Sequence, residues 1–553
     1  MRRRMTGWLA VAGTAGTVLA LAAAAAPQAV SPATAQDFAA RGQRAWEDVK
    51  VLADDDMEGR RAGTPGHRRA AEYVAKQFEA AGLAPGGDGG WFQPVHLESR
   101  TVREADSSLA LVTPRGVEPL KFGDDAVLSL RGNVAPHLEA PLVFVGNGLR
   151  LPQYRHDDLA GLDLKGKVVV FFNSAPKSVP GAAGAHFGSA PERWKQFRAA
   201  GAVGVMAIPN PFAMDLSWDR IAAQRNEPQM RLAPPAADLF PGMQIYAGLN
   251  PARFARLLEG TEFTDKALLD KLQKGVALPH FDLKVRLRAT IATDSKFVTS
   301  ENVIGVLKGS DPVLAKETVA LSAHLDHLGI AEEGEGDRLH NGAMDNASGV
   351  ATLIDVARHL QSAGEKPKRS IAFAAVTAEE LGLLGSRAFA EHPGNGMNLV
   401  ADINSDMFLP LYPMRHLLVF GLDESTLGGD ARAVAAELGL RVQSDPQPQR
   451  NRFIRSDQYS FIRVGVPSLA LKVGYLPDSP EAKIDAQWFK ERYHAPGDDL
   501  AQPVDFGAVG TYAEVMQRIA LRVANAPQAP AWKKDSVFRA IPRAASAPVA
   551  AAP

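Results

Sequence analysis

Five short stretches of this 553-residue chain place imidazole and carboxylate groups directly after apolar runs. "VALSAHLDHLG" delivers His324 and Asp326, two apart and therefore on one side of a strand. "HNGAMDNASGVATL" delivers Asp345 just ahead of a helical pattern, and "IAFAAVTAEELG" delivers the adjacent pair Glu379 and Glu380. "LVADINSDMF" delivers Asp402 and Asp406, and "ERYHAPGDDL" delivers His494 with Asp498 and Asp499. Taken one at a time, a histidine reads as a structural residue, "DN" as a turn and "EE" as a solvated turn. Together, imidazole and carboxylate at successive strand ends are the donors that a hard-to-borderline divalent metal requires. Two histidines and three carboxylates suffice for two zinc ions if one carboxylate is shared, and such pairs sit about 3.5–4 Å apart with an attacking water between them.

The elements that must position these groups are legible as alternation. From "ENVIGVLKGSDP" onward, continuous apolar strands ("ETVALSAHLDHLGI", "RSIAFAAVTAEE", "LVADINSDMF", "GVPSLALKVG") alternate with helical patterns such as "GVATLIDVARHLQ". Such runs predict an α/β fold with a mixed, mostly parallel sheet covered by helices on both faces, and in open α/β sheets ligands gather at the carboxyl ends of strands. Upstream, "AAEYVAKQFEAAGLAP" has helical spacing and stops at Gly82 and Pro85. Residues 134–287 differ in texture, with "APLVFVGNG", "LKGKVVVFF" and the helix-turn-strand pattern "ERWKQFRAAGAVGVMAIPNP", and read as a separate inserted, β-rich α/β domain. The expected organisation is a signal peptide over 1–35, the two parts of the main α/β domain over 36–133 and 288–525 around the insert, and a flexible Ala/Pro-rich tail over 526–553.

Composition narrows the class. Formal charge is −1 and the basic residues are spread along the chain, so no nucleic-acid partner is implied. With no cysteine, disulfides, thiolate zinc sites and lipoprotein anchoring are all excluded. "MRRRMTGWLAVAGTAGTVLALAAAAAPQAVSPATAQDF" has the layout of a cleavable secretory signal, with cleavage expected near Ala35 and export to a bacterial periplasm or beyond. No later segment is long and apolar enough to span a bilayer.

"HLD", "GAMDNASG", "TAEELGLLGS", "NSDM" and "YHAPGDD" occur in the order and spacing of the M28 family of zinc aminopeptidases, and "EGRRAGTPGHRRAAEYVAKQFEAAGL" is similar to that family's N-terminal signature. The insert resembles the protease-associated domain that some members carry. The resemblance implies a zinc exopeptidase fold acting on peptides with free N-termini. By this resemblance His324, Asp345, Glu380, Asp406 and His494 would hold two zinc ions with Asp345 bridging. Asp326 would orient His324 from behind, and Glu379 would be the general base. The same resemblance leaves two alternatives: a single-zinc glutaminyl cyclase and a non-catalytic binding module of the same fold. Many members read Ser-Asp-His before an aromatic, where this chain has Ser456, Asp457, Gln458 and then Phe461. Tyr459 is expected to pack rather than donate to an oxyanion. His327 and His340 are expected at surface or supporting positions, Asp402 in a structural role, and Gly59, Arg60 and Gly63 in a turn. "GSDP" at 309–312 is a turn, since no Lys-Ser/Thr follows it.

Overall fold

The computed structural model describes residues 32–543 apart from 215, 235–237 and 332–335. The expected signal segment lies almost wholly outside the described residues. Ten strands form the main sheet, and four neighbours at its heart run parallel: Ser370–Val376, Glu317–His324, Asn398–Ser405 and Ser468–Gly474. Antiparallel strands flank them, Thr293–Leu307 and Phe92–Val102 on one side and His416–Phe420 on the other.

The four central strands are buried along nearly their whole length, as two-sided cover demands. On one face Val319, Leu321 and Ala323 pack under the helices Ser348–Ser362 and Phe506–Asn525, with Pro32–Leu52 against both. On the other face the alternate residues Ala320, Ala372 and Ala374 meet Phe389 and Phe461 of the short helices Leu384–Glu391 and Gln458–Arg463. The period-two split of each strand thus feeds two separate cores. Among the described residues no helix is long and apolar enough to cross a membrane.

A second, eight-stranded sheet is spliced into the first. The chain leaves the main sheet at Val102 and returns at Thr293, and these two residues are paired partners on one ladder. The second sheet includes Ser108–Thr113, Gly116–Leu120 and Ala126–Leu128, and it ends with His280–Thr290. The insert is therefore longer at both ends than the expected 134–287. Its first strands are short and half-buried, so they lack the continuous apolar signal that marks the later ones. From within the insert, Gln229–Leu232 reaches back to pair with Phe92–Val102, which ties the two sheets together.

The expected flexible tail is a second correction. Up to residue 543 it is packed: Phe538 is fully buried against Phe453, and Trp532 Nε1 donates to the Gly465 carbonyl at 3.1 Å. An Ala/Pro-rich average concealed two aromatic anchors.

Candidate metal centre

His324 is the last residue of Glu317–His324, Asp406 follows Asn398–Ser405 directly, and Glu379 and Glu380 follow Ser370–Val376 by three and four positions. Asp345 sits in an irregular turn ahead of the helix Ser348–Ser362 and carries a cis peptide to Asn346. His494 lies in the loop after the helix Pro480–Glu491, with φ of 53°. Five segments far apart in sequence therefore meet at one end of the parallel strands.

The geometry has two halves around Asp345. His324 Nε2 stands 3.2 Å from Asp345 Oδ1 and 3.3 Å from Asp406 Oδ1. His494 Nε2 stands 3.4 Å from Asp345 Oδ2 and 3.1 Å from Glu380 Oε2. His327 is also present: its Nδ1 is 2.8 Å from Glu380 Oε1. It is fully buried, so the surface alternative for this residue does not hold; His340 is half-buried with its ring 6.3 Å from that of His327.

These donors fit a cation. The Nδ1 of His324 faces the Asp326 carbonyl at 3.0 Å, an acceptor only, so Nδ1 carries the proton. A neutral ring then aims the Nε2 lone pair at two carboxylate oxygens, an arrangement that is repulsive without a positive charge between them. In the protein alone that charge is a proton: burial opposes it, but Asp345 and Asp406 raise the His324 pKa well above the usual histidine value. Asp345 Oδ2, buried, receives no hydrogen bond among the described residues. An unpaired buried carboxylate oxygen is costly, and a metal ion would satisfy it.

The adjacent glutamates are driven in opposite directions. Burial pushes the Glu379 carboxyl well above the carboxylate range, opposed by His324 and reinforced by Glu380 and Asp406. Burial works against ionising Glu380 too, but His494 and His327 outweigh it and hold its pKa at about 2. The pair is thus split into one carboxyl that readily holds a proton and one that does not.

Several residues grip this arrangement from outside. The Asp326 carboxylate accepts the backbone amides of Glu379 at 3.0 Å and Glu380 at 3.4 Å, while its own carbonyl orients His324. Asp326 was expected to orient His324 from behind; its main-chain carbonyl faces His324 Nδ1, and its carboxylate fixes the glutamate turn. Asp498 accepts the amides of Met344 and Asp345, both at 2.9 Å. Asn346 donates to the Ser405 carbonyl at 2.9 Å and so ties the Asp345 turn to the strand that ends at Asp406. Gly349 makes room for this, since a Cβ there would lie 2.3 Å from Asn346 Oδ1.

Arg60 is entirely buried and donates to the carbonyls of Leu52, Leu325, Asn341 and Gly342. The turn expected around it is real, with Glu58, Gly59 and Arg60 all at positive φ. The purpose of the turn was not visible in sequence, because the arginine's partners are all main-chain groups of other segments.

Other expected residues lie apart from the cluster. Asp402 is buried and accepts from Ser322 Oγ at 2.7 Å, which is a structural role. Gln458, where many relatives have histidine, is spent on Asn404 and the Phe453 carbonyl. Tyr459 points away to the insert, its hydroxyl 3.0 Å from His186 Nδ1 and 3.2 Å from Ser189 Oγ.

The insert also touches the site. Arg220 donates to the carbonyls of Tyr493 at 2.6 Å and His494 at 2.8 Å. Groups that hold metal-binding residues from outside typically matter 10–100-fold in affinity or activity. Arg220→Ala is expected to weaken metal binding by roughly tenfold at the lower end of that range, read by competition with a chromogenic chelator. An unchanged affinity would show that the loop holds His494 unaided.

An α/β sheet carrying a cluster of His, Asp and Glu at its strand ends defines a class, that of proteins built to hold metal ions at the sheet's carboxyl edge. Residues 302–520 match the family model of peptidase family M28. It is 27% identical over 208 residues to aminopeptidase YwaD of Bacillus subtilis, covering 36% of this chain and 40% of that protein. It is 32% identical over 108 residues to a vacuolar membrane protease of Yarrowia lipolytica, covering 20% of this chain and 10% of the relative. The matches thus span less than half the length of these curated relatives. Among solved structures, an aminopeptidase from Aneurinibacillus sp. strain AM-1 shares the fold, with a TM-score of 0.51 at 20% identity over 90% of this chain and 97% of the other.

Proposed function

We propose that this chain is an exported aminopeptidase that uses two zinc ions to remove N-terminal residues from peptides. The observation that carries the reading is the pair of imidazole Nε2 atoms, His324 and His494, each facing two carboxylate oxygens at 3.1–3.4 Å around the shared Asp345. His324, Asp345 and Asp406 would hold one ion, and Asp345, Glu380 and His494 the other. When bound, zinc ions supply Lewis acidity toward the water and the scissile carbonyl.

The rest is work for the chain's own groups. Glu379 lines the open cavity beside these residues and is the general base. Its carboxylate takes the proton of the attacking water and returns it to the departing amide nitrogen, which becomes the new amine. Asp326 fixes the backbone from which Glu379 projects, and His327 holds Glu380 through the oxygen turned away from His494. The carboxylates around the cavity suit a substrate ammonium group.

The insert, read as a protease-associated domain, contributes walls rather than ligands: its Asn173, Ser189 and Trp218 border the same cavity of about 1210 Å³ as Glu379. A roofed cavity favours short peptides over folded proteins. A panel of aminoacyl p-nitroanilides with free and acetylated amines tests the activity. Free substrates are expected to turn over and acetylated ones to resist, and efficient internal cleavage of blocked peptides would overturn the assignment.

A further inference from the structure

The cavity is cationic away from the metal centre. Among the described residues ten arginines and Lys472 line it, against two acids outside that centre, Glu227 and Asp238. Several of the arginines are already matched: Arg61 pairs with Glu227, Arg225 with Glu104 and Arg231 with Glu98. Lys472 is different. It is the one charged residue of the strand Ser468–Gly474, whose every position is buried. Leu471 pairs with Ser405, the last residue of its strand, so the next position of each chain sets Lys472 alongside Asp406.

The Lys472 ammonium has no hydrogen-bond or ion-pair partner among the described residues. It lies 5.3 Å from the centre of the Phe489 ring, and Arg452 lies 4.8 Å from the same ring. Burial and the Arg452 charge lower its pKa to about 8, while Asp406, Asp485 and Asp345 favour its charge from beyond ion-pair distance. An ammonium on a largely buried side chain that reaches the cavity without a charged partner, beside a second cation, is an arrangement that an anion would relieve. The insert supplies another cation to the same cavity, Arg131. It is exposed and without a hydrogen-bond or ion-pair partner among the described residues, and a Cβ on Gly382 would lie 3.2 Å from its guanidinium carbon. Gly382 is two residues past Glu380, so Arg131 borders the same rim.

We propose that Lys472 binds a carboxylate of the peptide substrate, so that the enzyme prefers peptides carrying an acid close to the scissile bond. This rests on the aminopeptidase reading. The carboxylate has two possible sources: the side chain of an acidic residue, or the free C-terminus of a very short peptide. The competing role for Lys472 is to offset the carboxylates of the metal centre, which would affect every substrate alike.

The test is a ratio. kcat/KM is measured for Glu- against Gln-p-nitroanilide, and for Leu-Leu against Leu-Leu-amide, in the wild type, Lys472→Met and Lys472→Arg. Hydrogen bonds to charged groups correspond to roughly ten- to a hundredfold preference for the acid. That preference is expected in one of the two pairs in the wild type, collapsing in Lys472→Met and retained in part in Lys472→Arg. The pair that shows it identifies the source of the carboxylate. Equal rates within both wild-type pairs, or a preference that survives Lys472→Met, would overturn the proposal. Calorimetric binding of glutamate against glutamine, and of Leu-Leu against its amide, gives the same comparison without turnover. If no aminoacyl substrate is cleaved yet acid-selective binding depends on Lys472, the catalytic reading fails and the carboxylate site stands; if binding is unselective, the carboxylate site fails.

Discussion

Glu379→Gln is expected to keep its metal and lose roughly 10²–10⁴-fold in kcat, with little change in KM. The amide has the size of the carboxylate but no basicity, and proton transfer belongs to the transition state rather than to substrate binding. Glu380→Ala is expected to fail differently. It removes the carboxylate that faces both His494 and His327, at 3.1 and 2.8 Å, so the metal should be lost first and activity with it. The opposite pKa shifts follow from what faces each buried carboxyl: burial raises Glu379, with Glu380 and Asp406 reinforcing it, whereas His494 and His327 outweigh burial at Glu380. Metal content and kcat measured on both variants decide the assignment. If Glu379→Gln empties the site while Glu380→Ala stays loaded and merely slow, the roles are reversed.

Chelation is expected to abolish activity completely, and zinc to restore it with an end point of two ions per chain. Binding to the folded state alone stabilises it by about 2.7 kcal/mol for each site at a free metal concentration a hundred times Kd. Tm should therefore fall on chelation and recover with added zinc, a readout independent of turnover. The physical reason is local: Asp345, Glu380 and Asp406 are brought together with His324 and His494 in a largely buried cluster, and without metal their charge is offset by protons on the two imidazoles and by the more distant Arg60 and Lys472. Full activity at one ion per chain would remove the bridging role from Asp345.

Much of this site could be read from the chain because its donors are tied to strand ends. A strand buried on both faces is a run of apolar residues, and the first polar group after it marks the sheet's edge. That rule located His324, Glu379, Glu380 and Asp406 without coordinates. It could not find Arg60, because an arginine whose partners are four backbone carbonyls leaves no partner residue type to look for. Nor could it rank His327 against His494, and both imidazoles face Glu380, at 2.8 and 3.1 Å. The insert boundary failed for a related reason: short, half-buried strands such as Ser108–Thr113 carry a weak apolar signal.

The sequence by itself determined the α/β class and the order in which the chain presents its candidate donors, because these depend on local patterns of period two and 3.6. Tertiary structure decided what depends on long-range approach. It brought Asp345 between His324 and His494, set the carboxylate of Asp326 on the glutamate turn rather than on His324, and carried Arg220 of the insert to the His494 loop. It also placed Lys472 beside Asp406, through a strand pairing that no spacing along the chain encodes. Sequence spacing fixes which face of its own element a side chain occupies; which other element that face meets is set only when the sheets and helices pack.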